Sequence, residues 1–299
     1  MELEKAIKDF LLEAEIKGYT KKTRDGYRRN LEMFCRYCAG EGITDTRQLD
    51  IRVVKGFTAK LRPGHKGTYL NGSLKVIKSF NNYLLEESLG GIPADKKFPW
   101  VQEDKPVIRA FTRADVRAIL ADCDPGSFTG IRDRAVISTM LETGVRCWEL
   151  CCIRPDDVKD DQIIIHFGKN HKERAVPITA QLRKILAKYE AAKSDYFTLR
   201  EIEDYYFVSF HGRMLTNSAV EHILKRHASG VASGVRVSPH TCRHTFAQSQ
   251  LRMGTDIYSI SRLLGHENLQ ITQIYLRSLR DEDIVQDNRR RSVLQSFGL

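Results

Sequence analysis

Apolar residues recur at three-to-four spacing through the first ninety positions. Ile7, Phe10, Leu11 and Ala14 form one stripe; Tyr27, Leu31, Phe34 and Cys38 form a second. Val53, Val54, Phe57 and Leu61 make a third, and Tyr69, Leu70, Leu74, Ile77, Phe80 and Tyr83 a fourth. This is the period of a helix with one buried face. Gly18, Gly40-Glu41-Gly42 and Pro63-Gly64 punctuate the stripes, so they predict an all-helical N-terminal domain of about four helices. Pro93, Pro99 and Pro106 with a mixed charge run mark a linker. Beyond it, Thr112 followed by Asp115 reads as a helix start with an N-cap and an acidic first turn. A helix follows over 132–142, and Gly144 breaks it. Ile163-Ile164-Ile165 and Ala175-Val176-Pro177-Ile178 read as short strands, and the polar run 168–173 between them suits a hairpin tip. Helical patterns resume at 179–193, 216–230, 241–253, 256–264 and 270–278. The expected fold is mainly α with a small antiparallel β-sheet in the C-terminal domain. An all-helical N-terminal domain (1–92) and a linker (93–110) precede a mixed α+β domain (111–280) and a tail (281–299).

Composition narrows the class of partner. The length of 299 residues suits two domains. A net charge of +10 favours a polyanionic partner, nucleic acid foremost. No apolar run approaches the ~18 residues of a membrane span, and the charged start Met1-Glu2-Leu3-Glu4-Lys5 lacks a signal-peptide core. The expectation is a cytoplasmic protein with no membrane partner. Seven cysteines form no disulfide framework; Cys147, Cys151 and Cys152 share one helical pattern and are expected to pack as small apolar groups. Basic residues recur on the polar faces of the N-terminal helices: Lys21, Lys22, Arg24, Arg28, Lys66, Lys75 and Lys78. Two readings stand for them, a solvated helix face and contact with a DNA backbone.

The candidate chemistry gathers in the second domain. Arg146 and Glu149 sit one turn apart, and His240, Arg243, His266 and Tyr275 follow downstream. A free tyrosine has a pKa of about 10, so its phenolate costs roughly 4 kcal/mol at neutral pH, and a nucleophilic tyrosine needs a base or cationic neighbours. Two arginines can neutralise a phosphodiester and favour its crowded transition state through bidentate forks. A leaving alkoxide needs a general acid; Lys169 in the hairpin turn could supply it, with Lys172 a competitor. Glu149 could orient a catalytic group or form a structural ion pair. Metal and cofactor motifs fail. His266-Glu267-Asn268-Leu269-Gln270 lacks the second histidine of H-E-x-x-H, Gly168-Lys169 lacks the rest of a P-loop, and Cys35-Arg36-Tyr37-Cys38 has no partner pair. No carboxylate cluster for Mg²⁺ accompanies the set. The expectation is no metal and no cofactor.

The ordered set resembles the tyrosine recombinases, or phage-type integrases, of Xer-like two-domain architecture. Thr143-Gly144-Val145-Arg146-Cys147-Trp148-Glu149-Leu150 resembles T-G-x-R-x-x-E-L, and 168–174 resembles the family's lysine hairpin. Pro239-His240-Thr241-Cys242-Arg243-His244-Thr245-Phe246-Ala247 resembles H-x-L-R-H-T-F-A, and Leu263-Leu264-Gly265-His266 with Tyr275 resembles the L-L-G-H…Y ending. Cys147-Trp148 and Cys242 depart from the usual residues without removing a catalytic group. The resemblance implies that Arg146 and Arg243 clamp a DNA phosphate, that Tyr275 attacks it to form a 3′-phosphotyrosyl link, and that Lys169 protonates the departing 5′ oxygen. It further implies that His240 helps with the nucleophile's proton, His266 hydrogen-bonds the phosphate and Glu149 supports the cluster. By the same resemblance the helical N-terminal domain is a core-binding domain, and 111–280 is the catalytic domain. The implied partners are double-stranded DNA with inverted-repeat arms and a homo-tetramer, or a hetero-tetramer with a second recombinase, with the tail docking on a neighbouring protomer. The competing functions are strand relaxation of the type IB topoisomerase kind and a catalytically silent DNA-binding regulator.

Overall fold

The computed structural model describes residues 1–103, 109–166, 173–266 and 268–276, with only the backbone of Leu276. The expected tail 281–299 and the hairpin tip with Lys169 and Lys172 lie outside the described residues. The chain divides into two compact units, Met1–Pro106 and Val107–Leu299.

The first unit carries four α-helices, α1 (Leu3–Ile16), α2 (Lys21–Gly40), α3 (Ile51–Leu61) and α4 (Gly67–Glu86). Their starts follow from local chemistry. Thr20 Oγ1 accepts from the Thr23 N–H ahead of α2, and Asp50 accepts from the Arg52 and Val53 N–H groups ahead of α3. The four apolar stripes meet in one core, with Leu3, Ile7 and Phe10 against Leu31, Phe34, Val54, Phe57, Leu74, Ile77 and Phe80. Each such side chain is worth about 1.5–3 kcal/mol on burial. Two buried asparagines of α4 then tie down the chain that follows. Asn81 exchanges hydrogen bonds with the backbone of Ile92 (2.7 and 2.9 Å), and Asn71 does the same with Val101 (2.8 and 2.9 Å). Phe98 joins the same core, so the proline-bearing stretch after α4 packs on the helical unit up to the last residue described there.

The second unit holds α5 (Arg113–Ala121), α6 (Phe128–Thr143), α7 (Cys147–Cys152), β1 (Gln162–Ile165), β2 (Arg174–Pro177), α8 (Ala180–Tyr196), α9 (Asn217–Arg226), α10 (Pro239–Arg252), α11 (Ile257–Leu264) and α12 (Leu269–Leu276). Thr112 and Asp115 form a reciprocal capping box at the start of α5. The two strands pair antiparallel with Ile163 opposite Val176. The fold is therefore mainly helical with one two-stranded sheet among the described residues.

α6 is the central helix, buried through Ala135, Val136, Ile137 and Met140 and packed on α8 and α10. It begins four residues before the expected start, because Ser127 Oγ accepts from the Gly130 N–H and caps it. α9 ends four residues early. His227 leaves the helix to sit between two carboxylates, Nδ1 2.7 Å from Asp122 and Nε2 3.1 Å from buried Asp133. A smaller apolar cluster of Phe246, Ala247, Leu251, Ile260, Leu264 and Tyr275 joins α10, α11 and α12.

Gly144 ends α6 in the left-handed region at φ +63°, where a Cβ would lie 2.4 Å from Phe246 and 2.9 Å from Leu264. Gly144→Ala combines a left-handed penalty of about 1–2 kcal/mol with overpacking of about 1–3 kcal/mol. Urea unfolding should show a loss of about 3 kcal/mol on those grounds; a midpoint equal to the parent's contradicts this.

Candidate active site

Six elements or their ends converge in the second unit: the end of α6, α7, β2, α10, the end of α11, and α12. The gathering point is the C-terminus of α11. Gly265 takes φ +64° there, and the His266 N–H bonds back to the Ser261 carbonyl, a Schellman closure. A helix end leaves carbonyls without intrahelical donors and carries partial negative charge. Three successive carbonyls each accept from a different arginine. Arg174 Nε donates to Leu263 (2.8 Å), Arg243 Nη2 to Leu264 (2.6 Å) and Arg146 Nη2 to Gly265 (2.9 Å). Arg243 Nη1 also donates to the carbonyl of Gly144 at the end of α6 (2.7 Å). A Cβ on Gly265 would stand 2.9 Å from the Arg174 guanidinium, so the close approach needs glycine.

Glu149 lies beneath these guanidiniums, 2% exposed. Its carboxylate accepts from Arg146 Nη1 (2.8 Å) and the Arg146 N–H (2.8 Å), and from both terminal nitrogens of Arg174 (3.0 and 2.6 Å). Burial pushes its pKa up, but the hydrogen bonds and charge of Arg174 and the bonds from Arg146 overcome that and hold it down at about 2. Glu149 is thus ionised at neutral pH. One carboxylate against three guanidiniums leaves two positive charges, with Arg243 buried and Arg146 partly open to solvent. Burial, then repulsion from Arg146, lowers Arg243 to about 10, and it stays protonated.

Tyr275 on α12 is 4% exposed. Burial raises its pKa, while the charge and hydrogen bond of Arg243 and the charge of Arg146 pull the other way. Its hydroxyl lies 3.0 Å from His244 Nδ1. His266 stacks parallel to the Tyr275 ring at 6.4 Å between centroids, with Nδ1 2.8 Å from the Thr272 hydroxyl. Burial and the nearby Arg243 and Arg146 depress His266 to about 4, so its ring is neutral. His240 is exposed in the first turn of α10, its ring 6.4 Å from that of His244.

The structure therefore brings Arg146, Glu149, Arg243, His266 and Tyr275 together, with His240 on the rim, and Lys169 lies outside the described residues. Two members of the cluster, Arg174 and His244, do not stand out in the sequence as site residues. Arg174 alternates with buried Val176 on β2, so an inward-facing strand arginine is the available signal. His244 follows His240 by four residues on α10, one turn along the same face. The unusual residues fit: Cys242 is fully buried, Trp148 is exposed, and Cys147 sits half-buried against α9.

The basic residues singled out in the sequence belong to the first unit. Lys21, Lys22, Lys66, Lys75 and Lys78 are exposed. Arg24 pairs with Glu15, and Arg28 with Asp25 at 3.3 Å. Among the described residues no helix is long and apolar enough to cross a membrane, and no group of histidine, cysteine and carboxylate side chains could hold a metal ion.

Residues 109–282 match the Phage integrase family, and residues 7–88 match the Phage integrase, N-terminal SAM-like domain. The chain belongs to the phage integrase family of tyrosine recombinases. It is 31% identical to the tyrosine recombinase XerD of Pseudomonas aeruginosa over 266 residues, 88% of this chain and 89% of that one. It is 36% identical to the tyrosine recombinase XerA of Thermococcus kodakarensis over 224 residues, 74% and 75% of the two chains. Among solved structures, the Tn1549 transposon integrase in complex with transposon right end DNA shares the fold with a TM-score of 0.76 at 15% identity, covering 97% of this chain and 99% of that one. The XerH site-specific recombinase bound to palindromic difH substrate does so at 0.74 and 17%, covering 89% and 79%.

Replacing Glu149 by Gln leaves Arg174, a tenth exposed, and the partly exposed Arg146 without their counter-charge, a loss of about 3 kcal/mol at neutral pH. Because the folded pKa is depressed from 4.5 to about 2, the carboxylate's contribution is complete above 4.5 and disappears as pH falls toward 2. Urea unfolding across that range should show the parent approaching the variant on acidification; a gap that stays constant contradicts the assignment.

Proposed function

We propose that this chain is a site-specific recombinase that cuts and rejoins duplex DNA through a 3′-phosphotyrosyl intermediate. The observation that carries the reading is the pair of uncompensated positive charges held beside the Tyr275 hydroxyl. A phosphodiester brings one negative charge and gains a second along the reaction, which matches that excess. A guanidinium has five N–H donors, so Arg146 and Arg243 can keep their carbonyl anchors and still offer donors to a phosphate. His266, neutral and engaged through Nδ1, is suited to donate from Nε2. Tyr275 attacks phosphorus, and the 5′ oxygen leaves with a proton from Lys169. His240, exposed in the first turn of α10, helps with the nucleophile's proton. Glu149 acts through the arginines that it holds.

The exchange replaces one phosphate ester by another of similar energy, so the chemistry asks for no nucleotide cofactor. The names of the relatives, tyrosine recombinases XerD and XerA, support this reading over strand relaxation or silent binding. XerH is bound to its difH substrate and the Tn1549 integrase to transposon end DNA, and duplex DNA is the partner assigned to this chain. Both units are assigned to it, the first (1–92) through the exposed lysines of α2 and α4. A tetramer on inverted-repeat arms, of this chain alone or with a second recombinase, would exchange the strands in the cytoplasm, with 281–299 docking between protomers.

Incubation with duplexes of random sequence should yield SDS-resistant protein–DNA adducts that can be recovered and sequenced. Tyr275→Phe removes one oxygen, so it should bind the recovered duplex as tightly as the parent and form no adduct. An adduct with the variant contradicts the choice of nucleophile. Binding to the recovered duplex should also weaken by at least about a thousandfold between about 50 and 200 mM salt. Changing Lys21, Lys22, Lys75 and Lys78 together to Ala should flatten the slope of log affinity on log salt by about 0.9 for each phosphate left without its lysine; an unchanged slope removes these lysines from the interface.

A further inference from the structure

We infer that His166 is a positioning residue for the acid that protonates the departing oxygen: by bridging Asp157 and Glu173, its ring fixes the two chain ends that hold Lys169 between them. The inference deepens the proposed function and rests on it. Ile165 of β1 and Arg174 of β2 form the last pair of the ladder. His166 and Glu173 stand one step beyond that pair, three residues before Lys169 and four after it. A side chain is only as well placed as the backbone that carries it, and a misplacement of about 1 Å can cost about a hundredfold in rate.

The bridge follows from the strand pattern. Successive side chains of a strand point to opposite faces. Ile165 is buried, and its partner Arg174 turns inward to Glu149 and the Leu263 carbonyl, so His166 and Glu173 share the outer face. There His166 Nδ1 lies 2.8 Å from Glu173 Oε1, and Nε2 lies 2.8 Å from Asp157 Oδ1. Asp157 ends the short turn Pro155–Asp157, which packs on β1. It is buried and accepts from the Arg154 N–H at 2.8 Å. One end of the bridge is thus fixed to the body of the unit, and the other holds the exposed residue ahead of β2. Ionised carboxylates only accept hydrogen bonds, so the two short contacts need an N–H on each ring nitrogen, the state of an imidazolium. The hydrogen bond of Glu173, opposed by burial and joined by the bond and charge of Asp157, raises the pKa of His166 accordingly. The guanidinium of Arg154 is engaged elsewhere, 3.4 Å from Asp204 and over the Tyr205 ring.

In the proposed reaction the bond from phosphorus to the 5′ oxygen breaks, and that oxygen takes a proton from the Lys169 ammonium. His166 touches neither group. It acts through the chain on either side of Lys169 and sets how much of the time the ammonium is within reach of the leaving oxygen. Arg174, next to Glu173, is tied to Glu149 and Leu263. The bridge therefore keeps the acid in register with the arginine cluster.

The test uses the full chain and the duplex recovered with the parent protein, made in two forms. One has the natural bridging oxygen. The other has sulfur at the bridging 5′ position, a leaving group that needs no proton. Lys169→Ala sets the scale: slow on the oxygen duplex and restored on the sulfur one. His166→Ala should form adduct about 10- to 100-fold more slowly than the parent on the oxygen duplex, and at the parent's rate on the sulfur one. His166→Arg keeps a permanent cation with donors for both carboxylates and should match the parent on both. Adding His166→Ala to Lys169→Ala should cost nothing further on the oxygen duplex. Restoration by sulfur separates a misplaced acid from a damaged fold, which would be slow on both. Parent-like rates in His166→Ala on oxygen, a defect that sulfur leaves in place, a His166→Arg as slow as His166→Ala, or a further loss in the double variant would each overturn the inference. Absence of adduct with the parent protein, or a Lys169→Ala defect that sulfur leaves in place, would instead overturn the function on which it rests.

Discussion

Three positively charged side chains do not gather in a protein interior unless something compensates them. Here the compensation comes from the last carbonyls of α11 and from one buried carboxylate. Leu263, Leu264 and Gly265 each accept from a different arginine, and Glu149 accepts from two of the three. The helix end supplies partial charges and the carboxylate a full one, and together they fall short of three. In the proposed function that shortfall is what receives the phosphate, because it favours an anion there. Without the left-handed turn at Gly265, α11 could not present these carbonyls, and the arginines would have no common anchor.

The same arrangement sets the state of the nucleophile. Tyr275 packs in the apolar cluster with Phe246 and Leu264, so burial favours its neutral form. Arg243 and Arg146 oppose that, and their pull on the phenol grows in a low-dielectric site. In the proposed reaction a DNA phosphate would occupy the charge-deficient space, and the phenol would lose its proton only as the bond to phosphorus forms. An unreactive tyrosine in the absence of DNA is the natural consequence. His266, held neutral by the same arginines, can donate a hydrogen bond without adding charge.

Much of this is legible in the sequence. The four apolar stripes of the first unit, the Thr112–Asp115 capping box and the alternation around Ile163 and Val176 all state local rules that the tertiary structure obeys. The motif Leu263-Leu264-Gly265-His266 is visible as a string, but its reason is not, because the working atoms are backbone oxygens. Arg174 is easily passed over beside the lysine hairpin, since a strand arginine reads as surface charge until its alternation with Val176 is weighed. His244 stands within its motif without an evident role; only the packing of α12 on α10 shows which imidazole meets the phenol. The early start of α6 depends on Ser127, and the early end of α9 on the buried charge of Asp133, a long-range contact that no local pattern records.

The central claim is that this network prepares Tyr275, among eleven tyrosines, to become joined to DNA. The direct measurement is tandem mass spectrometry of the covalent protein–DNA adduct after nuclease trimming and proteolysis. The account predicts a nucleotide remnant on the peptide containing Tyr275, with fragment ions placing it on that side chain. A remnant on any other residue would contradict it.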